Sequence, residues 1–462
     1  MQDDMNEDII FEAEKKEYLE YHSYRDVLSN LHQRPSISDK DIKRCGKKLT
    51  LVAGGMIGFD KGISNFLNKL NKDGNAMFLL SEVTAENRRY TKSRIVFPNI
   101  CTPHLFAKEM VIKGMDIPID DEIVKKVESF DYLYQAAINF ESRYMGSLGK
   151  GYAYSFVWNA YEYLCDVITK LDPKKVVMWN EFYAFHTILN GICKEKNIPI
   201  LYMEFGCLPG TFCIEKYGQQ GESLPARASF LYNLLPISKH EIINTQMVLD
   251  HLLCTGLNRN IQPSGEVILS KLKYYVPGRK TIVFYGQNEY ESGMFPYTKK
   301  SKHSHSPIFE NSDQAVLYLS EIAERNEWNI IFKPHPTMVN LGFYDGWERE
   351  GVDLVNEVDI NKLIDFADVN ITILSQTAYI SAIRKKPTVL LGYMQLRGKG
   401  CVYEVYKKFQ IEATISEAIS NGVTKSQEKH FIRHCAQLLK YYLYDDLTHE
   451  DIPWGMRVNK KI

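Results

Sequence analysis

Lys333 and His335 stand two residues apart in Lys333-Pro334-His335-Pro336. A fixed cation beside a titratable ring is what a site needs to neutralise a departing phosphate. The preceding run, Asn329-Ile330-Ile331-Phe332, has the length and β-branched content of a short buried strand. Pro334 and Pro336 forbid its continuation, so Lys333 and His335 are expected to project from a rigid turn at its C-terminal end. In open α/β sheets that edge is where ligands bind. The structural alternative is a strand ending in a Pro-rich turn, with a solvated Lys and a capping His.

Three further apolar runs end in polar residues. Gln287, Asn288 and Glu289 follow "IVFYG", Ser375, Gln376 and Thr377 follow "ITIL", and Gly392 and Tyr393 follow "TVLL". If these strands are parallel, the four ends line one crevice. Ser375-Gln376-Thr377 also opens an expected helix, whose free backbone N–H groups attract an anion. A single Ser or Thr at a helix start is ordinarily an N-cap. Four such ends together, with Lys333 and His335, point to a cleft for a phosphate or diphosphate.

The first half of the chain offers carboxylates. "ILYM" runs into Glu204, then Gly206 and the turn "LPGT", and Glu215 lies three residues before Gly218. Glu204 is open to two readings: a loop cap, or an acid/base facing the cleft with a raised pKa. Asn180-Glu181 and His186 lie near the neighbouring strand end and are read as structural. "GGMIGF" (Gly54, Gly55, Gly58) is not GxGxxG and reads as close backbone approach, and no GxxxxGK[ST], HExxH or GxSxG occurs. His303 and His305 in "KHSHSP" read as a mobile polar loop rather than metal ligands.

Two alternations of strand and helix must hold these residues. An acidic helical lead-in (residues 7–34) precedes a strand at "KKLTLVAGG", a helix over "GISNFLNKLNKDG" and a strand at "AMFLL". A helical region over 120–171, broken near Gly146, Gly149 and Gly151, leads to "KVVMWN", the helix "AFHTILNGICKEKN" and "PILYMEFG". After a polar helical stretch the second alternation runs "KTIVFYGQN", helix 312–326, "NIIFKPHP", "VDLVNEV", helix 360–367, "VNITILS", helix 376–385 and "PTVLLG", closed by helices near 402–420 and 425–446. This is the βαβ signature of parallel sheets. The expected fold class is α/β: two doubly wound Rossmann-like domains facing a central cleft. The expected divisions are a lead-in (1–45), a first domain (46–240), a connector (241–275), a second domain (276–422) and C-terminal helices (423–462) packing back toward the first domain.

Composition narrows the partners. With 56 Lys and Arg against 57 Asp and Glu in 462 residues, there is no basic field to bind nucleic acid. Nine cysteines fall without CxxC or a Cys/His array of zinc spacing, so no metal site is expected from them. The N-terminus carries eight Asp/Glu against two Lys in its first 20 residues and lacks a signal pattern. No apolar stretch nears the ~20 residues that span a bilayer. A cytoplasmic protein is expected, with peripheral contact to the inner membrane open. The sequon Asn370-Ile371-Thr372 lies inside a strand-like run, which argues against its modification.

The ordered motifs resemble the capsule polysaccharide biosynthesis family of bacteria, which includes β-Kdo transferases. The family's E-x-G, L-P, T, acid and Gly look like Glu204, Gly206, Leu208-Pro209, Thr211, Glu215 and Gly218. Its glutamine, K-P-H-P turn, serine-led helix and Gly-aromatic strand end look like Gln287, Lys333 to Pro336, Ser375 and Gly392-Tyr393. The similarity covers about residues 175 to 400. It implies a metal-independent GT-B glycosyltransferase without cofactor, in which the second domain holds a nucleotide sugar and the first a glycan or glycolipid acceptor. In Kdo-transferring members the donor is CMP-linked and the HP histidine contacts its phosphate. The implied catalytic residues are Glu204, Glu215 and His335. The implied nucleotide-sugar residues are Gln287, Lys333, His335, Pro336, Ser375, Gln376, Thr377 and Gly392. The chain departs from the family at Glu215, where Asp is usual, and at Gln219-Gln220, where Asn is usual. "DINKLIDFAD" (Asp359 to Asp368) also resembles teichoic-acid-type phosphotransferases, although "ILSQTAY" lacks their aspartate. A non-catalytic nucleotide or glycan binder is the third reading.

Overall fold

Short, β-branched, largely apolar strands are the signature of parallel sheets, and both alternations form parallel strands. The computed structural model describes residues 49–53, 76–80, 95–96, 119–143, 149–259, 271–296, 298–340 and 342–447, with single positions at 263, 265, 267 and 452. The acidic lead-in, the Gly54–Gly58 turn and the helix expected over 62–74 lie outside the described residues. Two compact units divide the chain: the first takes the described residues up to 178 together with 182–200, and the second takes 179–181 and the described residues from 201 onward.

In the first unit β1 (Leu49–Ala53), β2 (Ala76–Leu80), β3 (Ile95–Val96) and β4 (Lys175–Trp179) run parallel in the order β3-β2-β1-β4. The helical region is cut into Asp121–Glu128, Asp131–Arg143 and Gly149–Leu171. The break after Glu128 was not expected; there the Ser129 hydroxyl donates to Lys126 O (2.7 Å) and closes the turn. The helix Ala184–Glu195 lies so close to Asp131–Arg143 that a Cβ on Gly191 would meet the Tyr132 ring at 2.3 Å.

The second unit opens with a departure from the sequence reading. Glu204 does not leave its strand: β5 (Ile200–Phe205) continues through it and returns antiparallel as β6 (Thr211–Glu215), with Glu204 opposite Cys213 and Tyr202 opposite Glu215. The reversal rests on Gly206 N–H donating to Thr211 O (2.7 Å), Thr211 Oγ1 donating to Leu208 O (2.6 Å), and Gly210 at φ +75°. A Cβ on Gly206 would fall 1.9 Å from Thr211 Oγ1, so only glycine fits there.

The larger sheet holds β7 (Thr281–Tyr285), β8 (Asn329–Lys333), β9 (Val352–Leu354), β10 (Val369–Thr372), β11 (Thr388–Leu390) and β12 (Tyr403–Glu404). All pairs are parallel and the order is β12-β11-β10-β7-β8-β9. The chain steps outward from β7 to β9, crosses to the other side of β7 at β10, and steps outward again. β7 and β10 therefore flank a topological switch point, where loops diverge and a crevice opens. Val283, Ile331, Leu363 and Ile364 are fully buried in its core. Residues 402–410, expected as helix, instead form β12 and a turn ahead of the helix Ile411–Asn421.

The helix Lys425–Tyr441 begins in a Thr424–Gln427 capping box and leads into β13 (Leu443–Asp445), which pairs antiparallel with β6. Asn370 is buried as its strand context implied, accepting from Tyr285 Oη (2.8 Å). Among the described residues no helix is long and apolar enough to cross a membrane.

Candidate functional site

Thr372, the last residue of β10, organises the switch point. Its hydroxyl oxygen accepts from the Gln287 side-chain amide (3.2 Å) and from Ser375 N–H (3.1 Å), fastening the loop after β7 to the loop after β10. Gln287 is further fixed by its own N–H donating to the Ser312 hydroxyl (2.9 Å). Ser375 Oγ accepts from Thr377 N–H (3.3 Å) and shares a hydrogen bond with Thr377 Oγ1 (2.9 Å), so it begins the helix Thr377–Ile383 as an ST turn.

The Lys-Pro-His-Pro turn lies beside Gln287, since a Cβ on Gly286 would meet Pro334 Cα at 3.2 Å. Pro336 is the first residue of the helix Pro336–Asn340. His335 Nδ1 accepts from Thr337 N–H (3.2 Å), which assigns the ring proton to Nε2, the form that donates to a phosphate oxygen. Lys333 behaves otherwise. Its ammonium is buried and donates to Asn356 O (2.8 Å), and burial lowers its pKa to about 8 against the opposing field of Asp359. It holds the loop after β9 to the end of β8.

Gly392 is enclosed by protein. A Cβ there would lie 2.5 Å from Ile373 O and 2.6 Å from His305 O, and Tyr393 N–H donates to that same His305 carbonyl (2.7 Å). His305, read from sequence as part of a mobile polar loop, is instead fully buried with Ser304 and Ser306. Its Nε2 sits 3.5 Å from Glu289 Oε1, which accepts from the Ser312 hydroxyl (2.7 Å). Alternating Ser and His carried no sign of this burial, because the groups that meet it, Glu289, Leu391 O and Tyr393 N–H, come from other segments.

The carboxylates gather on the hairpin. Glu204 accepts from the Gln220 side-chain amide, and Gln220 reaches it from a left-handed backbone position at φ +52°. Burial raises the Glu204 carboxyl to about 7; the Arg259 guanidinium opposes that rise and the Glu181 carboxylate reinforces it. The residue nevertheless keeps partial contact with solvent. Glu181 and Gln219 bond reciprocally through backbone and side chain: Gln219 N–H donates to Glu181 Oε1 (2.8 Å) and Glu181 N–H to Gln219 Oε1 (2.6 Å). Gly218, at φ +155°, would place a Cβ 2.9 Å from Glu181 Oε1.

Glu215 is occupied on both oxygens, accepting from Tyr217 N–H (2.8 Å) and Leu224 N–H (2.6 Å). Burial still raises its pKa. It ties together the two ends of the loop that carries Gln219 and Gln220. His186 lies in the first unit, buried beside Tyr183 with rings edge to face, as its structural reading implied.

Arg259 and Gln376 join hairpin and sheet. Both donate to Gly206 O, at 2.6 and 2.7 Å, and the guanidinium lies 4.3 Å from the Phe205 ring centre. Arg259 carried no local signal in "TGLNRN", and its partner is 53 residues upstream. The parallel strand ends and Glu204 are thus parts of one assembly, which offers a carboxyl of near-neutral pKa beside a guanidinium, with hydroxyl, amide and imidazole groups at the neighbouring strand ends. Asp359 and Asp368, which prompted the phosphotransferase comparison, have fold roles. The first caps the helix Ile360–Phe366 and the second accepts from Thr281 N–H (2.8 Å). Among the described residues no three His, Cys, Asp or Glu side chains converge in metal-ligating geometry.

No protein-family model matches the sequence, and none of the curated proteins compared with it is similar enough to match. Among solved structures, the chain is similar to the β-Kdo 2,4 transferase KpsC of Thermosulfurimonas dismutans, at 14% identity over 57% of this chain and 79% of that one, with a TM-score of 0.39. It is also similar to the UDP-GlcNAc 2-epimerase of Methanocaldococcus jannaschii, at 12% identity over 84% and 98% of the two chains, TM-score 0.32. The spinosyn rhamnosyltransferase SpnG is 10% identical over 85% and 96%, TM-score 0.32.

Proposed function

We propose that the protein is a glycosyltransferase of the GT-B type that moves a sugar from a nucleotide-activated donor to a glycan or glycolipid acceptor. The observation that carries the reading is Glu204: a partly desolvated carboxylate with a pKa near 7, fixed by Gln220 and coupled through Gly206 to Gln376 at the sheet's switch point. A group poised at that pKa suits the deprotonation of an acceptor hydroxyl. His335, with its proton on Nε2, and the Ser375-Gln376-Thr377 turn are the donors that would meet the leaving phosphate. Lys333 and Gly392 support these loops, and Gln287 bridges them.

The finer reading is a CMP-activated donor such as CMP-Kdo, used without a metal in capsule or lipopolysaccharide assembly. Its support is the order of motifs from Glu204 to Tyr393. Thermal unfolding against CMP, CDP, UDP and GDP tests it: a ligand at 100 times its Kd adds about 2.7 kcal/mol, a readily measured rise in midpoint. CMP is expected to stabilise most, and turnover of the matching sugar nucleotide is expected to survive chelation. Failure of every nucleotide to stabilise the chain would overturn the reading.

A further inference from the structure

We infer that the segment around Phe230, Leu231 and Leu234 is a docking surface for an anionic lipid bilayer. This rests on no part of the catalytic reading and would stand if no nucleotide bound.

These side chains are 75%, 65% and 63% exposed, whereas most large apolar residues of the second unit are buried. They are not on a loose loop. The short helix Ser229–Asn233 is tied down by its polar groups: Lys399 Nζ donates to Ser229 Oγ (2.9 Å) and to Pro225 O (2.7 Å), and Asn233 Nδ2 donates to Gly398 O (2.9 Å). Gln437 donates to the carbonyls of Tyr232, Asn233 and Leu235, at 3.2, 3.1 and 3.0 Å. With its polar atoms fastened inward, the segment presents apolar tips outward in a fixed conformation. A contiguous apolar projection of this kind marks an interaction surface.

Charge selects the partner. The helix Lys425–Tyr441 carries exposed Lys425, Lys429 and Arg433 at intervals of four, and hence along one face. Arg433 sits where that row meets the apolar segment, donating to Asn233 O (3.5 Å) and Leu235 O (3.4 Å). Among the described residues no carboxylate pairs with Lys425 or Lys429, while neighbouring Glu241 and Glu428 are held by Lys440 and Lys385. Protruding Phe and Leu side chains beside a row of cations match the interface of a membrane bearing anionic headgroups. A bilayer accepts such tips without the complementary pocket that a protein partner must supply.

The test is co-sedimentation of the full chain with phosphatidylcholine vesicles, with and without phosphatidylglycerol. Binding is expected to require phosphatidylglycerol and to weaken with salt. It should fall at least ~10-fold in Phe230→Asp/Leu234→Asp, and substantially in Lys425→Glu/Lys429→Glu, both unfolding at the wild-type temperature. Absence of wild-type binding, or binding indifferent to both double variants, would overturn the inference. So would a dimer that dissociates in Phe230→Asp/Leu234→Asp without vesicle binding, which makes the occupant a second copy. Binding that appears only after removal of residues 1–45 would likewise overturn it, since the acidic N-terminal segment would then be the occupant.

Discussion

Gln376 donates its side-chain amide to the carbonyl of Gly206, 170 residues earlier in the chain. The bond joins the turn that begins a helix of the parallel sheet to the hairpin that carries Glu204. The Glu204 hairpin and the Ser375-Gln376-Thr377 turn are therefore held in register by one side chain bonded to a backbone carbonyl.

Glu204→Gln is expected to lower transfer by at least ~10² while nucleotide affinity stays native. The carboxyl lies above its ordinary value of 4.5, near 7, so as a base it becomes competent as pH rises through 7. The wild-type kcat/KM should climb across that interval and level off above it. For stability the sign is opposite: the folded state holds the proton more tightly than the unfolded chain, so stability declines from about pH 4.5 to 7. The variant should lose both dependences. A surviving limb near pH 7 assigns the titration elsewhere.

Glu215→Gln should behave differently. Both carboxylate oxygens accept backbone N–H groups, and an amide would turn one acceptor into a donor facing a donor. A stability loss of about 1–3 kcal/mol is expected, with transfer falling because the loop of Gln219 and Gln220 loosens. Denaturant unfolding separates the two variants: Glu204→Gln leaves the midpoint in place at neutral pH or raises it, and Glu215→Gln lowers it.

His335→Ala removes the donor assigned to the leaving phosphate and is expected to cost ~10²–10³ in kcat. His335 is itself only partly buried, so the thermal midpoint should shift only slightly. Near-native turnover in a folded variant would remove His335 from the mechanism.

Gly392→Ala tests packing. Its Cβ would fall within 2.6 Å of two carbonyl oxygens, those of Ile373 and His305, neither of which is free to swing aside. Overpacking of about 1–3 kcal/mol is expected in chemical unfolding. An unchanged midpoint would mean that the backbone of Ile373 or His305 relaxes.

The parallel sheet was legible because its strands are β-branched runs ended by Gly, Pro or polar residues, and "NIIFKPHP" carries length, period and stop together. The hairpin was not. "TFCIE" is five residues behind an "LPG" turn, and it is a strand because β5 supplies its partners. Burial of "SHS" and the strand at Tyr403–Glu404 in place of a helix likewise depend on residues far along the chain. Among the candidate residues, Gln287, His335 and Ser375 stood out in the sequence by their position after strand ends, and Glu204 by its place before a glycine turn. Gln220, Arg259 and Thr372 did not, because each acts through a hydrogen bond whose partner the local sequence does not announce.

β6 is flanked on one side by β5 and on the other by β13, whose residues 443–445 come more than 200 positions later in the chain. During synthesis the strand holding Glu215 therefore waits with one edge unpaired until residues 443–445 have left the ribosome. Until then its backbone N–H and C=O groups are a template for another nascent chain. The seal arrives with β13, so the order of translation itself withholds a finished hairpin around Glu215 from any product that stops short of residue 445.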